Sequence, residues 1–260
     1  MLNDQVVVVT GASRGLGAGF AKRLSADGAN VVLAARNDDL LRQVANEIEA
    51  AGGTALPVRC DVTVQEDIDE LVRATLDRFG RVDVLVNNAG ALVLAPFLEE
   101  TDEMWYEMLE ANLTSARRAT KAFLPTMLEQ GSGRIIFVSS NAAKRGFPHD
   151  AAYSVAKAGL MALAKVLAVE YGTKGIDVHT VCPGLVADTD LGEFVVVDHI
   201  QNFEGSREKF WEWANTLSPK GFHPTVDEIV DLVAFLASGS PGSAVLHGTV
   251  LTADHGMTPY

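Results

Sequence analysis

The sequence predicts an α/β fold, a doubly wound parallel sheet of about seven strands with helices on both faces. Three observations carry this. Short β-branched runs alternate with longer helical patterns along the chain, a rhythm that calls for right-handed crossovers between parallel strands. The runs Val6-Val7-Val8-Val9 and Ile135-Ile136-Phe137-Val138 are apolar without alternation, as strands buried on both faces are. The chain has 260 residues, 48% hydrophobic and 21% charged, enough to bury a large core without a disulfide or metal staple.

The expected elements follow in order. The valine run Val6–Thr10 is the first strand, and Leu16–Asp27 the helix that returns from it. Strand Asn30–Ala35, helix Leu40–Ala51, strand Ala55–Cys60 and helix Val64–Phe79 repeat the unit. Strand Val82–Asn87 leads into a long helical region from Thr101 to Gln130. Strand Arg134–Ser139, the Ala- and Leu-rich helix Ala152–Tyr171, strand Asp177–Cys182, helix Val226–Ala237 and strand Val250–Thr252 complete the series. The rhythm breaks between residues 187 and 224, an insertion carrying Phe194, Phe203, Phe210, Trp211 and Trp213. With no linker, repeat or low-complexity segment, residues 1–260 are expected to form one domain that includes this lid-like insertion.

Charge and composition exclude several functions. The net charge of −13 repels phosphate-rich polymers, so neither nucleic acid nor an anionic membrane is an expected partner. Met1 to Gln5 lead into a strand without a basic segment, and the longest apolar stretch, Leu160–Val169, is too short to span a bilayer. A cytoplasmic protein with two buried, reduced thiols, Cys60 and Cys182, is expected.

The first strand ends in Thr10-Gly11-Ala12-Ser13-Arg14-Gly15-Leu16-Gly17. Glycines at a strand-to-helix turn let a pyrophosphate approach the backbone, and the next helix offers it N-terminal amides and a favourable dipole. The second strand ends in Ala35-Arg36, without the carboxylate that binds a ribose 2′-hydroxyl in NAD sites. Arg36 and Arg14 are instead suited to the extra phosphate of NADP, because guanidinium presents a rigid fork of donors. NADP(H) is therefore the preferred cofactor and NAD(H) the alternative. Asp38 and Asp39 are read as the start of the next helix.

Tyr153 and Lys157 stand four residues apart, on one face of a helix. A lysine ammonium beside a phenol favours the phenolate. Bringing a phenol from about 10 to near neutrality takes about 4 kcal/mol, at about 1.36 kcal/mol per unit. A tyrosine so tuned exchanges a proton with a substrate oxygen.

These residues belong to a larger ordered set. Thr10-Gly-x-x-x-Gly15-x-Gly17 is followed by Asp61-Val62, Asn87-Asn88-Ala89-Gly90, Asn112, Ser140, Tyr153-x-x-x-Lys157 and Pro183-Gly184. The chain resembles the single-domain short-chain dehydrogenase/reductases over essentially its whole length. The resemblance implies a Rossmann-like fold and hydride transfer between the cofactor and a carbonyl or secondary alcohol. It implies that Tyr153 is the general acid or base, that Lys157 binds the nicotinamide ribose and lowers the tyrosine pKa, and that Ser140 holds the substrate oxygen. Asn112 is implied to hold a water that links Lys157 to solvent. Around the cofactor, Gly11, Ser13, Arg14, Gly15, Leu16 and Gly17 are implied at the phosphates and Arg36 at the adenosine ribose. The resemblance further implies that Asp61 and Val62 flank the adenine, that Asn88, Ala89 and Gly90 lie along the ribose and sheet edge, and that Pro183, Gly184 and Val186 place the nicotinamide. A homotetramer or homodimer is also implied, with helices Thr101–Gln130 and Ala152–Tyr171 at the interface.

Two departures stand out. Asp188 occupies the place where many relatives have a threonine, so Thr189 is expected to serve after a one-residue shift. His255 stands in Thr252-Ala253-Asp254-His255-Gly256, where relatives often show Val-Asp-Gly-Gly, and is expected to be exposed in preference to approaching a subunit contact. The six histidines form no close ligand pair, so no metal is expected. Segments Ala91–Phe97, Asn141–Ala152 and Leu185–Trp213 should select the substrate. The Leu, Val, Phe and Trp content of the first and third suits a fairly apolar molecule, or else packs the lid or a subunit contact. His149, Lys144 and Arg145 border that site and are expected to be solvated.

Overall fold

The structure, a computed structural model, describes residues 2–200 and 204–258. Its centre is a seven-stranded, wholly parallel sheet in the order β3-β2-β1-β4-β5-β6-β7. The strands are β1 Val6–Thr10, β2 Asn30–Ala35, β3 Thr54–Arg59, β4 Val84–Asn87, β5 Gly133–Val138, β6 Ile176–Pro183 and β7 Val250–Ala253. Helices α1 Gly15–Ala26, α2 Asp38–Ala50 and α3 Gln65–Phe79 connect the first four strands. Asp38 and Asp39 do open α2, whose N-cap Asn37 accepts the Leu40 amide at 3.0 Å.

The apolar strand runs have the expected cause. Val7, Val9, Leu33 and Val86 face one way and are buried with Phe20, Leu24, Val44 and Val233. Val6, Val8, Leu85 and Phe137 face the other way and are buried with Ile68, Leu71, Phe123 and Leu160. Period-two alternation thus sends side chains into two separate apolar layers, and both faces of each central strand demand them.

The helical region expected between Thr101 and Gln130 is present from Asp102 and contains one π-helical turn. Helix α4 spans Asp102–Leu109, a π-helical turn spans Glu110–Thr114, and α5 spans Ser115–Gln130. Helix α6, Ala151–Tyr171, packs on β6. The segment Ala151–Lys174 is long and apolar enough to cross a membrane by length and composition, unlike the shorter apolar stretch read from the sequence. It buries Leu160, Ala164 and Ala168 in the core and carries Lys157, which core helices of globular proteins can do equally well.

The insertion contains two helices among its described residues, α7 Asp190–His199 and α8 Arg207–Thr216, before α9 Val226–Ala237 and the short α10 Pro241–Ala244. Phe203, expected among the insertion's aromatics, lies outside the described residues. The strand order reverses between β1 and β4, so the crevice outside their carboxyl ends is where an open sheet of this kind binds ligands.

Candidate active site

The carboxyl end of β1 is fastened to that of β4 by one side chain. Thr10 Oγ1 accepts the amides of Asn88 and Ala89, both at 3.0 Å, and donates to Val86 O at 3.3 Å. Asn88 Nδ2 donates in return to Thr10 O at 2.9 Å and Gly11 O at 3.3 Å. Gly11 is left-handed, φ 66°, and a Cβ there would come within 2.9 Å of Asn88 Nδ2. A Cβ on Gly17 would run into the Gly11 carbonyl. Helix α1 starts after Arg14, which has extended backbone and gives no side-chain cap. The turn therefore brings bare backbone and uncapped amides to the crevice, a surface that fits a pyrophosphate.

Arg36 is exposed just after β2, and its charge acts on Asp61. Burial pushes the Asp61 carboxyl up, but bonds from Thr63 and the charges of Arg36 and Arg59 leave it below its ordinary value. Val62 packs into the second apolar layer. Arg14 is engaged: its Nη1 lies 2.5 Å from Asp190 Oδ2 at the start of α7.

The four residues of the implied catalytic set come from three places in the fold. Ser140 follows β5 and opens a 3-10 turn at Asn141–Ala143, its Oγ accepting the Ala142 amide at 3.1 Å. Tyr153 lies in the first turn of α6, whose Ala152 amide is taken by Glu100 Oε1 at 3.1 Å. Lys157, one turn on, is buried, donates from Nζ to Val138 O at 3.0 Å, and lies 5.6 Å from the centre of the Tyr153 ring. Asn112 sits inside the π-helical turn and is buried. Its Oδ1 accepts the Ala91 amide at 3.2 Å, while Nδ2 donates to Ala91 O at 2.9 Å and Met108 O at 3.0 Å. Gly90 joins the two groups: a Cβ there would meet Asn112 Oδ1 at 2.5 Å and Lys157 Nζ at 3.4 Å.

The electrostatics differ from the sequence expectation. Burial pushes the Tyr153 phenol up to about 12, although a hydrogen bond with Ser140 works in the opposite sense. Burial also pulls Lys157 down to about 8. The ammonium is directed to Val138 O, and desolvation of the phenolate outweighs the benefit expected from a neighbouring cation. The phenol is thus held protonated in this structure.

Pro183 ends β6, and Gly184 leaves no room for a Cβ beside Asp254. Val186 is buried, and its carbonyl is taken by Thr189 Oγ1 at 2.8 Å. Thr189 also accepts the Gly192 amide at 3.0 Å, which caps α7. Its side chain nevertheless reaches the glycine turn, with Cβ and Cγ2 3.6 Å from where a Gly15 Cβ would stand.

Apolar walls border Tyr153. Met108, Ala142, Ala152 and Tyr153 form a buried cluster against Leu92, Val93, Trp105 and Phe147. In the insertion, Val196, Phe210 and Ala214 are buried together with Trp211 against them. Phe210 packs edge-on to Trp211, with 5.1 Å between ring centres. Part of the expected substrate-facing aromatic set therefore packs the lid on itself, while Leu191, Phe194, Val197 and Trp213 remain substantially exposed.

His149 is exposed, as expected, at φ 69°. His255 is not: its side chain is only 11% exposed, with Nε2 3.1 Å from Glu228 Oε1 and the ring edge-on to Phe222. Lys144 and Arg145 are not simply solvated either. Lys144 donates to Thr252 Oγ1 at 2.7 Å, and Arg145 lies over the Phe147 ring at 5.5 Å.

Three supporting residues escaped the sequence reading. Thr10 stood inside the glycine motif, where only its fastening role went unread. Asp150 is a buried carboxyl three residues before Tyr153, pushed up to about 6 by burial. Asp254, also buried, accepts Thr258 N at 2.9 Å and lies 3.5 Å from Asn141 Nδ2, behind Ser140; no local sequence signal marks that contact.

A doubly wound parallel sheet with a glycine turn at its switch point and a Tyr–Lys pair beside it defines a class of dinucleotide-dependent oxidoreductases. The profile of the short chain dehydrogenase family matches residues 5–198, and the chain belongs to that family. It is 36% identical to a 3-oxoacyl-[acyl-carrier-protein] reductase of Synechocystis sp., over 100% of this chain and 99% of the relative. It is also 36% identical to 3beta-hydroxysteroid dehydrogenase 1 of Eggerthella lenta, over 100% of this chain and 95% of that one. A crystal structure of a variant actinorhodin polyketide ketoreductase with NADPH superposes with a TM-score of 0.94 at 36% identity, covering 99% of this chain and 98% of that chain. The chain is accordingly an oxidoreductase acting on a carbonyl and alcohol pair.

Proposed function

We propose that the protein is an NADP(H)-dependent reductase of a carbonyl, or dehydrogenase of a secondary alcohol, on a fairly apolar substrate. The observation that carries this reading is the junction of Ser140, Tyr153, Lys157 and Asn112 with the uncapped, Cβ-free glycine turn across one crevice. Bound NADP(H) supplies or accepts the hydride. Gly11, Ser13, Gly15, Leu16, Gly17 and Thr189 would border its phosphates, with Arg14 and Arg36 for the 2′-phosphate. Asp61, Val62, Asn88, Ala89, Gly90, Pro183, Gly184 and Val186 would line the remainder. The NADPH-containing relative supports the choice of cofactor.

Tyr153 holds a proton at Oη and gives it to the substrate oxygen as negative charge develops there. Ser140 Oγ donates to the same oxygen, a contact whose value grows with that charge. Burial keeps the phenol protonated, so its proton is in place before substrate arrives, and a pKa brought closer to working pH would speed the transfer in either direction. Lys157 keeps a positive charge beneath the ring and, with Asn112, offers a route for restoring the proton from water.

The apolar cluster about Tyr153 supports an apolar substrate. The reading extends to one domain over residues 1–260, a cytoplasmic setting, and a homotetramer or homodimer. Val166 and Val169 on α6 and Tyr106 on α4 are exposed and suit a subunit contact.

A panel of ketones followed by NADPH absorbance tests the reading. Tyr153→Phe should lower kcat by about 10²–10⁴ with cofactor affinity retained, as removal of a general acid does. Undiminished turnover would end the mechanism. Arg36→Ala should erode the preference for NADPH over NADH, and an unchanged preference would remove the phosphate assignment.

A further inference from the structure

The foot of the lid rests on the glycine turn. Thr189 fixes the start of α7 by accepting the Gly192 amide at 3.0 Å and donating to Val186 O at 2.8 Å. Its Cβ and Cγ2 lie over Gly15, 3.6 Å from the place of a missing Cβ. The next residue, Asp190, points its carboxylate at the guanidinium of Arg14, with Nη1 and Oδ2 2.5 Å apart. Arg14 is also the residue from which α1 departs, with no side chain capping that helix. One cation at an anion-binding turn is therefore held by a carboxylate from a different, distant element. Asp188 is exposed in the same cleft, beside Ser13 and Lys22.

We propose that Asp190 is an internal competitor for Arg14 that sets cofactor affinity and must yield the guanidinium when a cofactor phosphate takes it. This rests on the reading of Arg14 as a phosphate contact. A guanidinium binds a carboxylate or a phosphate oxygen through the same fork of donors. The pair is exposed, 67% and 63% for the two side chains, which places its strength at about 1 kcal/mol or less. Such a contact is weak enough to be displaced by a phosphate and strong enough to lower affinity by about two- to fivefold. Exchange also frees the first residue of α7, the helix tied to α8 by Glu193 and Arg207 at 2.7 and 2.5 Å. Cofactor loading and the foot of the substrate lid are thereby joined through one side chain.

The test is NADPH binding by calorimetry on the full chain, without substrate, for wild type, Asp190→Asn, Arg14→Ala and the double variant. Asp190→Asn should tighten binding about two- to fivefold, while Arg14→Ala weakens it. In the Arg14→Ala background, Asp190→Asn should have no further effect. If Arg14→Ala weakens binding but Asp190→Asn leaves it unchanged or weaker, the competitor role is wrong and the phosphate reading stands. Equal tightening by Asp190→Asn in both backgrounds would reveal only a general loss of negative charge and would also overturn the proposal. Unchanged affinity in Arg14→Ala would remove the phosphate reading itself and the inference with it. Circular dichroism of Asp190→Asn checks that helix content is kept.

Discussion

Around the glycine turn, Thr10 and Asn88 together make five hydrogen bonds between the ends of β1 and β4, and Gly17 has no space for a methyl group. Across the crevice, the described residues of the lid are held by an apolar cluster around Phe210, by hydrogen bonds such as those of Thr189, and by ion pairs with half-exposed partners. The first region presents backbone in a fixed shape, suited to a ligand whose phosphates never vary. The second can repack at little cost, because few buried contacts define it. The contrast teaches where tolerance lies: substrate choice can drift in the lid, whereas the cofactor end permits almost no change of shape.

The largest test of that contrast is Gly17→Ala. Its new methyl group meets the Gly11 carbonyl, a backbone atom that cannot rotate away. We expect a loss of about 3 kcal/mol, seen as a fall in Tm of about 10 °C, together with loss of NADPH binding. A melt within about 2 °C of wild type would show the turn to be as pliable as the lid.

Next in size is the pH dependence of stability at the catalytic edge of the sheet. Lys157 is pulled by burial from 10.5 to about 8, so the folded protein binds fewer protons than the unfolded chain between those values. Stability from this group therefore rises with pH through that window, by up to about 3 kcal/mol. Tyr153, pushed up from 10 to about 12, acts in the opposite direction only above pH 10. Melts between pH 8 and 10 should accordingly rise relative to Lys157→Met, which has no such titration. A difference that stays flat would mean that the ammonium is better solvated than its burial implies.

The smallest global effect is expected from Phe210→Ala. Removal of a buried Phe ring costs about 3–5 kcal/mol where a core unfolds as one unit. Confined to the lid, the loss should leave the main melt within about 4 °C while speeding proteolysis between residues 187 and 224. A full-sized drop in the main transition would join lid and body into one cooperative unit and erase the distinction.

Strand positions and the two-sided core were legible because buried parallel strands leave near-continuous Val and Ile runs, and each run fell where a strand lies. The glycine turn was legible for a similar reason: close backbone approach needs missing side chains, and a missing side chain is visible in a sequence. The π-helical turn within Thr101–Gln130 was not, since Glu110-Ala111-Asn112-Leu113-Thr114 contains no glycine or proline to mark it. The phenol pKa was misjudged because helix spacing fixes which face two residues share but says nothing of how deeply that face is buried. His255 was misjudged because its partners, Glu228 and the Phe222 carbonyl, are distant in sequence. Lid contacts such as Arg14 with Asp190 are equally invisible, since an exposed arginine and aspartate carry no sign of each other.

The π-helical turn makes chain length itself a determinant of the catalytic edge. Helix α4 packs on α6, whereas α5 packs on α3, β4 and β5, and the π-helical turn lies between them. A π-helical turn is a single wide turn inside an α-helix, so deleting any one residue between Glu110 and Thr114 would restore regular winding and close the turn that presents Asn112. Asn112 could then no longer keep both its bonds to Ala91 and its place beside Gly90. Substitutions in that stretch alter one side chain at a time, but a change in residue count removes the wide turn that holds Asn112.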